Sequence, residues 1–569
     1  MRRLPALVAA LLLPATPPLL LGTAALTGAL LVSQAPAQAQ SAEAVAKVAQ
    51  AITVRIEGAT QGSGVLVKRD GNRYTVLTVW HVVSGQSSGE ELAIFTPDGQ
   101  QHQAQPGSIK HLGDVDMAVL SFSTANSYQL AKVGAVKSVS SGDQVLVAGF
   151  PGGINRKLKY DNGKLVANAA VGIDQGYQLL YTNETVSGMS GGVVLKSDGT
   201  LIGLHGRGER DEKKSIDYSS TVKTGTNQGV PISYYSLFEA GAPVVASATL
   251  ATTADDYLAQ ARSLLGKKGN EQKVISLATQ VLVTRQSADA YFYRAYTKSG
   301  LGDKQGAIAD YNQAIVINPR YNGAYINRGN TKSFLGDNQG AILDYDRAIA
   351  INPQTAQAYY NRGIVKYGIG SSQAAMADYD RAITLNPQYA EAYVNRGNIK
   401  SELGDNQGAI SDFSQAIIAD QEYVVAYYNR GNVKSDLGDK KSAIVDYKQA
   451  IAINPSFAYA YFGLGRARLD LGDNLVAIDD FTKAISINPK NAIFWKYRGL
   501  ARYSLGDGPG AATDITTSIA INPKDAAAWA LRGLARYLSG NNPGACNDFK
   551  KATSLGYSDT SDLILETCP

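Results

Sequence analysis

Hydrophobic positions along this 569-residue chain fall into three successive patterns. From Leu4 to Val32 apolar residues run almost unbroken behind Arg2 and Arg3, broken by Pro14, Pro17 and Pro18 and followed by Ala37-Gln38-Ala39. Over residues 43–243 the runs become short, rich in β-branched residues and separated by glycine turns. Thr53 to Ile56, Gly64 to Val67, Arg73 to Val79, Ala118 to Phe122, Gln144 to Ala148, Val193 to Leu195 and Leu201 to Leu204 read as strands. Asp70-Gly71, Asp98-Gly99, Asn162-Gly163 and Asp198-Gly199 read as the turns between them, and only Glu43 to Ala51 reads as helix. Many short strands in one stretch predict an all-β barrel or sandwich. From Ala288 a period of 34 residues takes over: Pro319, Pro353, Pro387, Pro455, Pro489 and Pro523 fall on it, with Gln421 in the missing slot. Counted from Ala288, Asn322, Ala356, Ala390, Val424, Ala458, Ala492 and Ala526, there are eight units over residues 288–559, with a weaker one over 254–287.

Within a unit, small and aromatic residues mark two helices that pack closely. In the second unit, Gly329 and Ala341 permit the approach, Tyr325 and Tyr345 fill the seam, and Asn352-Pro353 ends the second helix. One such unit cannot bury its own apolar face, so the units must stack. The small uncharged stretch 244–253 reads as a linker, and 560–569 as a C-terminal tail.

The basic start, apolar run and Ala-x-Ala site together predict a signal peptide over 1–39 and an exported protein beginning near Gln40, with an uncleaved anchor as the competing reading. A net charge of +5, spread along the chain, gives no reason to expect nucleic acid as a partner. No Cys/His spacing suits a metal, and no cofactor motif is present. The two cysteines, Cys546 and Cys568, lie at the far end and in an exported protein would form a disulfide holding the tail.

The chemistry concentrates in three places, in the order His, Asp, Ser. Thr78-Val79-Trp80-His81-Val82-Val83 ends a predicted strand on a histidine. Asp114-Val115-Asp116-Met117-Ala118-Val119-Leu120 opens another on an acid. Ser187-Gly188-Met189-Ser190-Gly191-Gly192 places a serine in a glycine turn, where backbone N–H groups can face a substrate carbonyl. A serine needs a base to become a nucleophile, and an imidazole needs a carboxylate to hold its tautomer. His102 and His111 have no such context and receive no role; a lone histidine is usually structural.

With these contexts the first domain resembles the chymotrypsin-like double β-barrel serine peptidases. Gln61-Gly62-Ser63-Gly64-Val65 is similar to that family's strand before the histidine, Asp116 to Leu120 to its aspartate segment, and Gly149-Phe150-Pro151-Gly152 to a turn of its bacterial members. The resemblance implies two six-stranded barrels, a triad of His81, Asp116 and Ser190 with Asp114 as the fallback acid, and an oxyanion hole from the N–H groups of Gly188 and Ser190. Met189 stands where the digestive members carry aspartate, so their activation by a new N-terminal amine is not expected here. Leu201 to Arg207 resembles the pocket strand of the glutamyl endopeptidases. It puts His205 fifteen residues after Ser190, and Thr185 five before it, at the positions that hold a substrate glutamate in that group, with Arg207 in reserve. Glu184, six before the serine, would instead favour Lys or Arg if it turns inward.

The helical units resemble the tetratricopeptide repeat, an all-α solenoid that binds protein partners. Two basic columns run through them: Arg294, Arg328, Arg362, Arg396, Arg430, Arg498 and Arg532 at position 7, broken by Leu464, and Lys298 to Arg536 at position 11. Position 23 is aspartate in every unit, which predicts structural pairing for at least one column rather than a basic stripe for acidic partners. Position 9, on the groove face in this family, varies from Asn330, Asn398 and Asn432 to Ile364, Arg466, Leu500 and Leu534, as a peptide-binding groove would. The expectation is an exported serine endopeptidase acting on peptide or protein substrate, with a partner-recruiting solenoid and no membrane contact beyond the signal segment. The alternative is an exported scaffold whose peptidase fold is silent.

Overall fold

The computed structural model describes residues 40–85, 91–152, 157–173, 175–183, 185–186, 188–207, 226–244, 252–557 and 568. The signal segment, most of the linker and Glu184 lie outside them.

Ser41 caps the first helix, α1 (Ala42–Ile52), by accepting from the Ala44 N–H, and Val45, Ala46, Ala49 and Ile52 form its buried face. Seven strands follow: β1 (Thr53–Glu57), β2 (Gln61–Asp70), β3 (Arg73–Thr78), β4 (Ala93–Phe95), β5 (Gln101–Gln103), β6 (Lys110–His111) and β7 (Ala118–Ser123). They form one sheet in the order β5-β4-β1-β2-β3-β7-β6. The next six are β8 (Gln144–Gly149), β9 (Lys159–Ile173), β10 (Tyr177–Tyr181), β11 (Val193–Lys196), β12 (Leu201–Arg207) and β13 (Asn227–Pro231). They close into a barrel, β10-β13-β12-β11-β8-β9. The all-β first domain is the expected one and its second half is the six-stranded barrel that the resemblance implied, while its first half is a seven-stranded sheet where the resemblance implied a second six-stranded barrel.

Alternation places the cores. In β10, Leu179 and Tyr181 face the barrel interior with Val145, Val147, Leu165 and Ile202, while Leu180 faces out. A second core, with Val65, Leu77, Val119, Val193 and Leu204, is shared by sheet and barrel and fuses them. One predicted turn is not a turn: Asn162 and Gly163 lie inside the 15-residue β9, Gly163 opposite Val145. A Cβ at Gly163 would collide with Asn183, so this glycine serves close packing between strands. Asp70-Gly71, Asp98-Gly99 and Asp198-Gly199 do turn, each on a left-handed glycine.

Besides a short helix, α2 (Trp80–Val83), and α3 (Ser233–Glu239), the described residues from Ala254 to Ser554 form successive helices joined by tight turns. The weak unit forms α4 (Ala254–Leu264) and α5 (Glu271–Thr284), and α6 (Ala288–Gly300) opens the regular array. First helices begin at Ala288, Asn322, Ala356, Ala390, Val424, Ala458, Ala492 and Ala526, the unit starts read from the sequence. Each pair turns on a left-handed glycine followed by a helix-starting residue: Gly336 has φ +84°, and the Asp337 side chain accepts from Gly340 N–H at 2.9 Å. A Cβ on Gly329 would lie 2.8 Å from the Tyr345 ring, which is why the seam needs glycine there. Cys546, in the last helix (Asn542–Ser554), is disulfide-bonded to Cys568.

Candidate active site

The predicted strand before the histidine stops at Thr78, and His81 sits on the one-turn helix α2. Thr78 pairs with Ala118 across β3 and β7, and this register sets Asp116, just before β7, against the turn. Asp116 is buried, with 4% side-chain exposure, while His81 is half-exposed at 47%. His81 Nδ1 donates to Asp116 Oδ2 at 2.8 Å and His81 N–H to Oδ1 at 3.0 Å. Asp116, not Asp114, therefore makes the contact; Asp114 is exposed.

A third donor had no signal in the sequence. The Tyr177 hydroxyl, on β10, also donates to Asp116 Oδ2. A Cβ at Gly206 would collide with the Tyr177 ring and hydroxyl, so glycine there makes room for this contact. Burial raises the Asp116 carboxyl, but the hydrogen bonds and attraction of His81 and the Tyr177 bond outweigh it and hold the group below the usual range. Asp116 N–H donates to the carbonyl of Gln175, which has φ +66° and ties the acid to the second barrel.

Ser190 is held from both layers. Ser63 N–H, on β2, donates to the Ser190 carbonyl at 2.7 Å, and Gly191 N–H donates to the His205 carbonyl at 2.7 Å. A Cβ at Gly62 would touch both Val82, the neighbour of His81, and the Ser190 carbonyl, so the two turns flank one strand. Gly188 has φ +92°. Among the described residues neither Gly188 N–H nor Ser190 N–H has an acceptor, as an oxyanion hole requires. Met189 turns into the barrel core, where it is buried with Val147, Leu179 and Val194, so apolar packing anchors the turn. The Ser190 hydroxyl donates to the Gly206 carbonyl at 3.2 Å, and no hydrogen bond links it to His81 among the described residues.

The residues expected to line a pocket lie on three neighbouring segments. Thr185, partly buried, donates from Oγ1 to Asn227 Oδ1 at 2.9 Å. His205, on β12, is buried, and its Nδ1 lies 2.8 Å from the Tyr181 hydroxyl. Burial, with a smaller push from His81, lowers its pKa to about 3, so it is neutral at any working pH. The Tyr181 hydroxyl has one proton for two partners, His205 Nδ1 at 2.8 Å and the Gln228 carbonyl at 3.2 Å, and the tautomer of His205 follows from which of them receives it. Arg207 ends β12. Asn227, absent from the sequence reading, is the link between Thr185 and β13.

The trypsin-like peptidase domain model matches residues 62–204. Tetratricopeptide-repeat models match 288–321, 335–370, 369–404, 390–423, 424–457 and 462–523. The chain joins a trypsin-like peptidase domain to tetratricopeptide repeats. The peptidase domain is similar to the serine protease Do-like HtrA of Bacillus subtilis (strain 168), at 26% identity over 151 residues covering 25% of this chain and 32% of the relative. The same-named protein of Lactobacillus helveticus is 26% identical over 155 residues, 26% of this chain and 36% of its own length. The chain thus spans about a third of the length of these curated relatives. A solved tetratricopeptide repeat protein from Parabacteroides merdae ATCC 43184 aligns at 24% identity and TM-score 0.35 over 43% of this chain and 96% of that one. MamA aligns at 30% identity and TM-score 0.27, over 28% and 95%.

In the repeats both basic columns are structural. Arg294 grips Asp310 with two hydrogen bonds, 2.8 and 2.7 Å, and Lys298 reaches the same carboxylate at 2.9 Å. The arrangement recurs down the array, for example Arg396 and Lys400 on Asp412. The groove keeps its own side chains. A cavity of about 560 Å³ is lined by Tyr360, Tyr367, Asn395, Asn398, Asn429 and Asn432, among others, with Glu402 and Asp436 beside them. Asn429 donates to Asn398 Oδ1 at 2.9 Å, which orients the Asn398 carboxamide.

Proposed function

We propose that this protein is an exported serine endopeptidase whose solenoid recruits its substrates or partners. The observation that carries the reading is the His81–Asp116 pair beside Ser190 in its glycine turn. Ser190 Oγ attacks the scissile carbonyl carbon as its proton passes to His81. Asp116 steadies the resulting imidazolium, and the oxyanion is received by the N–H groups of Gly188 and Ser190. His81 returns the proton to the leaving amine. Water, deprotonated by the same histidine, then attacks the acyl-enzyme, releasing the acid and restoring Ser190.

Preference for Glu or Asp before the cleaved bond is supported by the placement of His205 and Thr185 on neighbouring segments, and it requires the tautomer of His205 whose proton sits on the ring nitrogen away from Tyr181. A substrate carboxylate would take the Thr185 hydroxyl from Asn227. Export is supported by the pattern of residues 1–39 and by the Cys546–Cys568 bond. The groove, with its oriented carboxamides and tyrosines, suits an extended peptide segment.

A second reading, a scaffold with a silent peptidase fold, is favoured by one observation: the Ser190 hydroxyl engages Gly206 instead of His81. Labelling with a fluorophosphonate separates the two. Covalent labelling lost in Ser190→Ala supports the enzyme, and no labelling of folded parent protein supports the scaffold. A mixed peptide library then reads the pocket, with cuts after Glu or Asp expected, and cuts after Lys or Arg overturning that preference.

A further inference from the structure

The repeats are built into the peptidase domain. Outward-facing Leu180 of β10, with Val166, Ala167 and Ala169 of β9, shares one buried cluster with Leu258, Ala259, Phe292 and Tyr293 of the first repeats. The pairing of β9 with β10 shifts register after Tyr177, so that Ile173 faces Tyr177 but Asn168 faces Leu179. The solenoid completes the backbone around this bulge: Asp255 accepts from Asn168 N–H at 3.0 Å, and Asp256 from Ala170 N–H at 2.8 Å. Both acids sit in the first turn of α4, where the helix dipole favours them.

A second set of contacts reaches further in. Thr226 is fully buried immediately before β13. Its hydroxyl lies 2.9 Å from the Tyr293 hydroxyl of α6 and receives Arg262 Nε of α4 at 3.2 Å; its carbonyl receives the same guanidinium at 3.4 Å. The next residue, Asn227, turns to the opposite face, as strand alternation requires. There it holds the Thr185 hydroxyl and donates to the Asn183 carbonyl. One residue further, the Gln228 carbonyl is 3.2 Å from Tyr181, the partner of His205.

We propose that Arg262 and Tyr293, on the first helices of the solenoid, are specificity-positioning residues of the peptidase pocket, acting through Thr226 and Asn227 on Thr185. The inference rests on the endopeptidase reading for its consequence, but its structural content stands apart from it. Two repeats and the second barrel then form one working unit, and the peptidase pocket has a wall fixed from outside the peptidase domain.

The test uses the full-length chain carrying Arg262→Gln with Tyr293→Phe, and Asp255→Asn as a control that loosens the same interface without touching Thr226. Two readouts are compared: cleavage of a peptide pair differing only in Glu or Leu before the scissile bond, and phosphorylation of Ser190 by a small dialkyl fluorophosphate that fills no side-chain pocket. The double variant is expected to lose at least fivefold in the Glu-over-Leu ratio of kcat/KM, through KM, with fluorophosphate reactivity within twofold of the parent. Asp255→Asn should keep the ratio. An unchanged ratio in the folded double variant overturns the proposal. If the double variant does not fold, Tyr293→Phe alone removes one hydroxyl, with a two- to threefold loss expected and none overturning. If the parent resists the fluorophosphate, the endopeptidase reading fails, and amide exchange at Asn183 and Thr185 decides: faster in the Tyr293→Phe variant supports the linkage, unchanged exchange overturns it.

Discussion

Tyr177 gives Asp116 a hydrogen bond that no local motif announces, and its removal is the most specific test of the site. Tyr177→Phe keeps the ring that packs beside Gly206 and deletes only the donor. A lost hydrogen bond to a charged group is worth about 1.5–3 kcal/mol. If that stabilisation aligns the His–Asp pair, kcat should fall about tenfold at unchanged KM, measured by steady-state hydrolysis. Gly206→Ala should cost more, because the methyl group meets the Tyr177 ring; Tyr177→Ala in the same chain should recover part of the lost thermal stability. Residue types and spacing made His81, Asp116 and Ser190 legible, since each carries its context in its own neighbours. Tyr177 lies 61 residues from Asp116 and is brought there only by closure of the second barrel. Asn227 and Gly206 were illegible for the same reason: their partners come from other strands.

At the scale of elements, the helix pairs are locked by buried carboxylates that each answer two cations. Asp412 is buried and held by Arg396 and Lys400. Removing the bidentate partner should hurt more than removing the lysine, because the remaining cation cannot satisfy both oxygens. Arg396→Ala should destabilise the array by about 2 kcal/mol and Lys400→Ala by about 1 kcal/mol, read from urea unfolding followed by helicity. The sixth unit shows the principle in reverse. Leu464 replaces the arginine, Arg468 is the one ion-pair partner of Asp480 among the described residues, and burial then raises that carboxyl despite Arg468.

Asp289, in the first turn of α6, supplies a pH dependence. Burial pushes its carboxyl up to about 6, against the Tyr321 hydrogen bond and the attraction of Arg285 and Arg262. A carboxyl raised in the folded state is favoured when protonated. Its contribution is therefore complete below the unfolded value of about 4 and lost as pH rises through about 6. Asp289→Asn keeps an acceptor for Tyr321 without the charge. Thermal melts at pH 4.5 and 7.5 should differ less in this variant than in the parent, by a few degrees.

At the scale of the whole molecule, one bond and one interface set the limits of the array. The Cys546–Cys568 bridge closes a loop of about 22 residues at the end of the solenoid, for which chain entropy suggests about 3 kcal/mol. Reduction should lower the melting of the last unit while leaving the peptidase domain in place, as separate calorimetric transitions would report. At the other end, α4 fills the bulge of β9, so the uncharged stretch 244–253 joins two bodies that also touch directly.

What the sequence determined by itself follows from locality. Each repeat is a helix pair whose glycine, aromatic and proline positions specify it within 34 residues, and it packs chiefly on its neighbours, so period, unit starts and cation–carboxylate pairing could all be read from spacing. The His81–Asp116 pairing was legible because both segments carry strand, turn and chemistry together. Only tertiary structure decided the rest. Asn162-Gly163 has the local chemistry of a turn, yet the barrel draws it into a strand because backbone pairing along β8 and the tight fit against Asn183 outweigh local preference. Likewise, the third donor to Asp116 and the reach of Arg262 and Tyr293 to Thr226, just before β13, join residues far apart in the chain. No short-range pattern encodes such contacts; they exist only once the barrel has closed and the first helix pair has docked on it.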